Sequence, residues 1–132
     1  MNLMMLLEMA ASAFPERVAF TDSSNATSYT YGDLFTAAGR RAAALRASGA
    51  RRMAMLDVTS VATPLALFSS AWAGLPYVPL NYRLTDPEIE ALLARVTPAY
   101  LVTDADRSDR LGVLDAVAAT AREHFLEDHR HP

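Results

Sequence analysis

Between Val58 and Tyr82 the chain runs for 25 residues without a charged side chain. A stretch of that length and polarity can span a bilayer as a helix, so its interpretation constrains everything around it. Gly74, Pro76 and Pro79 would break any helix through its second half. The stretch therefore reads as a buried helix over about Val61–Ala73, stopped by Gly74, and then a short buried strand over Pro76–Leu80. No membrane span is predicted.

The flanking sequence repeats that alternation. Arg52–Asp57 is an apolar strand-like run, and Asp57, Thr59 and Ser60 are placed to cap the helix after it. Thr85-Asp86-Pro87-Glu88 has the hydroxyl-x-x-Glu spacing of a capping box, with proline where a first helical turn tolerates it. It opens a helix that ends near Arg95, before Pro98. Ala99–Thr103 is the next strand, and a long helix is predicted from about Arg107 to Phe125. Upstream, Arg17–Asp22 and Thr27–Tyr31 read as strands of a hairpin around the turn-rich Ser23–Ala26. A helix over Asp33–Ser48 follows, with Gly49 at its C-terminal end. Leu3, Leu6, Leu7, Ala10 and Phe14 fall at helical spacing at the start of the chain.

Strand–helix alternation of this kind is the pattern of right-handed βαβ units. The fold class expected is α/β: an open three-layer sheet of mostly parallel βαβ units with a small N-terminal hairpin. With 132 residues, positions 1–132 are expected to form a single α/β domain.

Composition removes whole classes of chemistry. There is no cysteine, which excludes disulfides and thiolate sites. All twelve basic residues are arginine, so no lysine can serve as a phosphate-loop cation, a Schiff-base amine or a general base. The net charge of −3 argues against a nucleic-acid partner. The segment Met1–Phe14 has no basic flank and is interrupted by Glu8, unlike a secretory signal, so a cytoplasmic location is expected.

Candidate site residues are few. Asp57 falls at the C-terminal end of a strand, where open α/β sheets bind ligands, although a turn or cap role is the plainer reading. Asp104 and Asp106 have a spacing that can hold Mg²⁺, against the duller account of a charged loop before Arg107 and Arg110. His124, His129 and His131 crowd the C-terminus as a metal set would, or as a frayed helix end does. Ser69-Ser70 lies in an apolar helix with no base near in sequence. Trp72, Tyr77 and Tyr82 bracket the Gly74 turn as a ligand wall or as core. The five glycines are too dispersed for a phosphate-cradling loop.

Two stretches are less generic. Tyr29-Thr30-Tyr31-Gly32-Asp33-Leu34 resembles the first core motif of the adenylate-forming superfamily, the acyl-CoA synthetases and related AMP-binding enzymes. That motif runs aliphatic, Thr or Ser, Tyr, any residue, Glu, Leu, so Tyr29 and Asp33 are mild departures. Ser70-Ala71-Trp72-Ala73-Gly74-Leu75-Pro76-Tyr77-Val78-Pro79-Leu80-Asn81 resembles the second, and Asn81-Tyr82-Arg83-Leu84-Thr85 continues as acyl- and aryl-CoA synthetases do. The resemblance covers about Met5 to Asp104.

It implies an N-terminal part of an enzyme that uses ATP and Mg²⁺ to turn a carboxylic acid into an acyl-adenylate, then passes the acyl group to coenzyme A. The family's phosphate loop, adenine-binding segment, ribose-binding aspartate and catalytic lysine lie beyond these motifs. No catalytic, cofactor-binding or metal-binding residue carries over, and no cofactor is expected on this stretch alone. The partners expected are the remainder of such an enzyme and, through exposed apolar surface, further copies of the chain. A mean hydropathy of +0.09 fits that exposure. Two rival readings are a free-standing non-catalytic module acting through protein contacts, and a small nucleotide- or phosphate-responsive domain using Asp57 and Asp104 at the sheet's C-terminal edge.

Overall fold

The computed structural model describes residues 3–22, 27–58 and 60–127. The strands are β1 (Val18–Asp22), β2 (Thr27–Thr30), β3 (Arg52–Leu56), β4 (Tyr77–Pro79), β5 (Ala99–Thr103) and β6 (Val117–Ala121). The helices are α1 (Leu3–Ala13), α2 (Tyr31–Ala47), α3 (Ala62–Ala73), α4 (Asp86–Ala94), α5 (Ala105–Leu111) and α6 (Arg122–Glu127). β1 and β2 form the antiparallel hairpin, with a register shift between Val18 and Phe20. The other four strands form one parallel sheet in the order β4-β3-β5-β6. The α/β class, the parallel sheet and the hairpin are as the sequence indicates.

Strand order explains the layering. The chain steps from β3 outward to β4, jumps back across β3 to β5, and continues in that direction to β6. Crossovers of one hand must then put α3 on one face and α4 and α5 on the other. The side chains agree. Met53, Met55 and Val102 pack under α1, α2, α3 and α6 through Leu7, Leu34, Leu45, Leu65 and Phe125. Ala54, Leu56 and Leu101 point the other way, onto Ile89 and Leu93 of α4 and Leu111 of α5. Because β3 and β5 are covered on both faces, Met53–Leu56 and Ala99–Val102 are continuously apolar rather than alternating. Truncating a fully buried leucine such as Leu45 or Leu101 to alanine would cost about 2–5 kcal/mol.

The C-terminal region corrects the sequence reading. There is no helix over Arg107–Phe125: α5 stops at Leu111, and Val117–Ala121 is the edge strand β6, paired with β5 from Ala99↔Val117 to Thr103↔Ala121. Alanines favour a helix by intrinsic propensity, but here the free edge of β5 and the apolar cluster beneath it decide the outcome. The turn into β6 is also poorly signposted, because its left-handed residue is Ala116, with φ 59°, rather than glycine or asparagine.

No helix of the described residues is long and apolar enough to cross a membrane. The 25-residue uncharged stretch is instead α3, its glycine stop and β4.

Candidate functional site at the C-terminal rim of the sheet

Connections leave the C-terminal ends of β3 and β5 in opposite directions, and that divergence is where an open α/β sheet offers a crevice. Asp57 follows β3, Asp104 follows β5 and Arg122 follows β6. The crevice is filled by the protein's own charges. Asp57 Oδ1 accepts from the Val58 amide at 2.8 Å, and Asp57 Oδ2 accepts from Arg122 Nη1 at 2.7 Å. Only 5% of the Asp57 side chain is exposed. The other arm of Arg122 donates to Glu123 at 3.0 Å.

Burial pushes the Asp57 carboxyl above the ordinary aspartate value, against the pull of the Val58 amide and of Arg122, and neighbouring Asp104 adds to the rise. For Arg122, burial disfavours the charge, but Glu123 and Asp57 outweigh it and hold the guanidinium's pKa up. Asp57 is therefore the anchor of a turn and of a cross-sheet ion pair. It does not cap α3, whose N-cap, Val61, has no side-chain bond. Ser60 Oγ accepts from the Ala62 amide at 3.1 Å in that turn, and Thr59 lies outside the described residues.

The remaining candidates are similarly engaged. Asp104 caps α5, accepting from the Arg107 amide at 2.8 Å. Asp106 pairs with Arg110 at 3.2 Å, and Arg110 also contacts Asp86 at the start of α4. Ser69 and Ser70 donate back to the carbonyls of Leu65 and Leu67 at 2.5 and 2.9 Å, so their hydroxyls are satisfied within α3. Trp72 packs on Phe35, ring centres 4.8 Å apart, and Tyr77 joins the same core, whereas Tyr82 stays 39% exposed. His124 lies in α6; His129 and His131 are outside the described residues. Among the described residues no group of His, Asp and Glu is arranged to hold a metal ion.

The two motifs acquire a physical meaning. Thr30 and Asp33 form a reciprocal capping box at the start of α2: Thr30 Oγ1 accepts from the Asp33 amide at 3.0 Å, and Asp33 Oδ2 accepts from the Thr30 amide at 3.1 Å. Tyr29, in the aliphatic place, is buried. In the second motif Gly74 adopts φ 76° and closes α3 with paired bonds, Gly74 N to Ala71 O and Leu75 N to Ser70 O. β4 runs beside β3, Asn81 Oδ1 accepts from the Arg83 amide at 2.9 Å, and Thr85 and Glu88 complete the next capping box. Arg107 from α5 donates to the Tyr82 carbonyl at 2.8 Å, pinning this loop to the second face.

Residues 7–130 match the family described as AMP-binding enzyme. The chain belongs to that family. A feruloyl-CoA synthase from an Amycolatopsis species is 34% identical over 93 residues, which is 68% of this chain and 19% of that protein. The chain thus spans about a fifth of the length of that curated relative. The N-terminal domain of FACL13 from Mycobacterium tuberculosis superposes with a TM-score of 0.82 at 23% identity, over 99% of this chain and 36% of that one. A fatty acyl CoA synthetase from the same organism gives 0.82 at 24%, over 98% and 28%. These two likenesses establish the fold, which is that of N-terminal domains of acyl-CoA synthetases.

In this AMP-binding family member, then, both motifs build caps and turns. Two framework contacts were not apparent in the sequence. Asp57 and Arg122 stand 65 positions apart, and Arg46 reaches from the last turn of α2 to the Trp72 carbonyl at 2.8 Å, placing a cation at the C-terminus of α3. Only β6, the strand the sequence reading missed, brings Arg122 to the rim.

Proposed function

We propose that the chain is the N-terminal scaffold portion of an ATP-dependent, AMP-forming acyl-CoA synthetase, which joins a carboxylic acid to coenzyme A through an acyl-adenylate. One observation carries the reading: in the two motifs and the segment that continues them, Thr30, Asp33, Asn81, Thr85 and Glu88 all accept from backbone amides. They set the entry angles of α2 and α4, and these side chains are committed to caps and turns. On this reading the chain supplies no catalytic, nucleotide-binding or metal-binding residue, and ATP, Mg²⁺ and coenzyme A engage other parts of the enzyme, in the cytoplasm.

The test is ATP–pyrophosphate exchange by the purified chain with Mg²⁺, using ferulate and a fatty acid in parallel. No exchange above the blank is expected, and exchange with either acid would refute the inactive-scaffold reading. A chimera tests the scaffold role directly. Residues 7–130 replace the matching segment of the Amycolatopsis feruloyl-CoA synthase, and measurable feruloyl-CoA formation is expected.

A further inference from the structure

Four of the six methionines fall in the first nine positions, and the other two lie on β3. Their surroundings differ. Met53 and Met55 are 0% and 4% exposed, sealed in the core of the first face. Met4 packs partly buried against the same core, and Met1 lies outside the described residues. Met5 and Met9, by contrast, are 50% and 63% exposed. They stand one helical turn apart on α1 and, with Glu8, Ser12 and Ala13, line a shallow open groove on its outer face. Leu7, on the inner face, keeps the helix docked on the core. Chemistry at Met5 and Met9 can therefore alter the surface of α1 without removing its anchor.

We propose that Met5 and Met9 form a reversible oxidation site, at which a neutral hydroperoxide such as hydrogen peroxide turns both thioethers into sulfoxides. In each step a sulfur lone pair attacks one peroxide oxygen, the S–O bond forms and the O–O bond breaks. The sulfur is oxidised by two electrons and the peroxide is reduced. The departing hydroxide takes the proton from the new S–OH group, leaving a sulfoxide and water. That separation of charge needs solvent around the sulfur, which the groove provides and the buried flank of β3 does not. A sulfoxide is polar where the thioether is apolar. Met5, Glu8, Met9 and Ser12 then present sulfoxide, carboxylate, sulfoxide and hydroxyl along one face, which changes from apolar to polar. The core methionines are spared, so the change acts on a surface and not on the fold. Methionine sulfoxide reductases reverse it, because oxidation stops at the sulfoxide. This inference does not depend on the catalytic reading.

Hydrogen peroxide treatment of the purified full chain, read by position-resolved peptide mass spectrometry, tests it. Met5 and Met9 should each gain one oxygen faster than Met53 and Met55 by about tenfold or more, because reaction at the core pair waits on an opening of β3. Circular dichroism should be unchanged at that stage, and the oxidised chain should leave a hydrophobic-interaction column earlier. A Met5→Leu, Met9→Leu double variant keeps the apolar face without its sulfur, so peroxide should leave its elution in place. Reductases for the two sulfoxide epimers should together return mass and elution to their starting values. Oxidation of Met53 or Met55 as fast as the exposed pair would overturn the proposal, as would unfolding once that pair is oxidised. So would an elution that does not shift, a double variant that shifts like the parent, or sulfoxides that the reductases leave in place.

Discussion

The Asp57 carboxylate and the Arg122 guanidinium meet at 2.7 Å across the C-terminal rim of the sheet, although 65 positions separate them in sequence. Asp57 follows β3, Arg122 follows β6, and β5 lies between these strands. The pair therefore ties both sides of the divergence that would otherwise be an open crevice. Removing either partner has unequal consequences, because Asp57 is nearly sealed while Arg122 keeps 26% of its side chain in solvent.

Arg122→Met is expected to destabilise the chain by about 2 kcal/mol at neutral pH, since it leaves a buried carboxylate uncompensated. Asp57→Asn in that background should recover much of the loss, because an amide can keep the Val58 contact without a charge. Urea denaturation of the two single variants and the double variant measures the coupling. Additive losses would mean that the ion pair does not act as a unit.

The caps of α2 and α4 make a second prediction. Thr30→Ala and Thr85→Ala each remove the side-chain oxygen that accepts from the third helical amide. Each should cost about 1 kcal/mol of stability. Serine at either position should hold most of it. Denaturant midpoints with an unchanged slope would confirm that only the cap was lost.

Gly39 faces Trp72 at the α2–α3 contact, and a Cβ built there would stand 2.9 Å from the indole. Gly39→Ala gains about 1 kcal/mol of helix propensity, but moving a ring already packed at a tilt against Phe35 costs about 1–3 kcal/mol. A net loss of about 1 kcal/mol is expected. Trp72 is the sole tryptophan, so its fluorescence should shift with the substitution. A more stable variant with unchanged emission would contradict the tight contact.

Two carboxylates should titrate in opposite directions. Bonds from the Thr85 hydroxyl and amide hold Glu88 below the ordinary glutamate value. Its contribution to stability is present above that ordinary value and is lost as pH falls through the lowered one. Burial, opposed by the Val58 amide and Arg122, raises Asp57. The folded state then keeps that proton longer than the unfolded chain, so the contribution of Asp57 is greatest at low pH. It declines as pH rises from the ordinary aspartate value through the raised one. Carboxyl-carbon NMR titration should place Glu88 below and Asp57 above their free-residue midpoints; the reverse order would contradict both environments.

What the sequence revealed, and what it hid, follows from how far each interaction reaches. The Thr85–Glu88 box, the Gly74 stop and the apolar β3 and β5 depend on residues within a few positions of one another, and all were legible. The Thr30–Asp33 box was equally local, yet its residues stood out as a motif before they stood out as a cap. β6 was hidden because Val117–Ala121 becomes a strand only against β5, and because Ala116 turns the chain without the usual glycine. With β6 unseen, Arg122 had no reason to meet Asp57. Asp57 could then be taken for an open ligand position when its oxygens are already committed.

The place of β3 in the sheet bears on how the chain is made. Thr103 Oγ1 donates to the Leu56 carbonyl at 2.6 Å, a buried bond that closes the β3–β5 seam across 47 residues. A ribosome adding about 5–20 residues per second needs about 2–10 s to bridge that interval. During it, nascent β3 can pair with β4 on one side only, and its Met-Ala-Met-Leu edge stays open to any other extended chain. A chaperone that grips short apolar strands has its opportunity there, and arrival of β5 ends it.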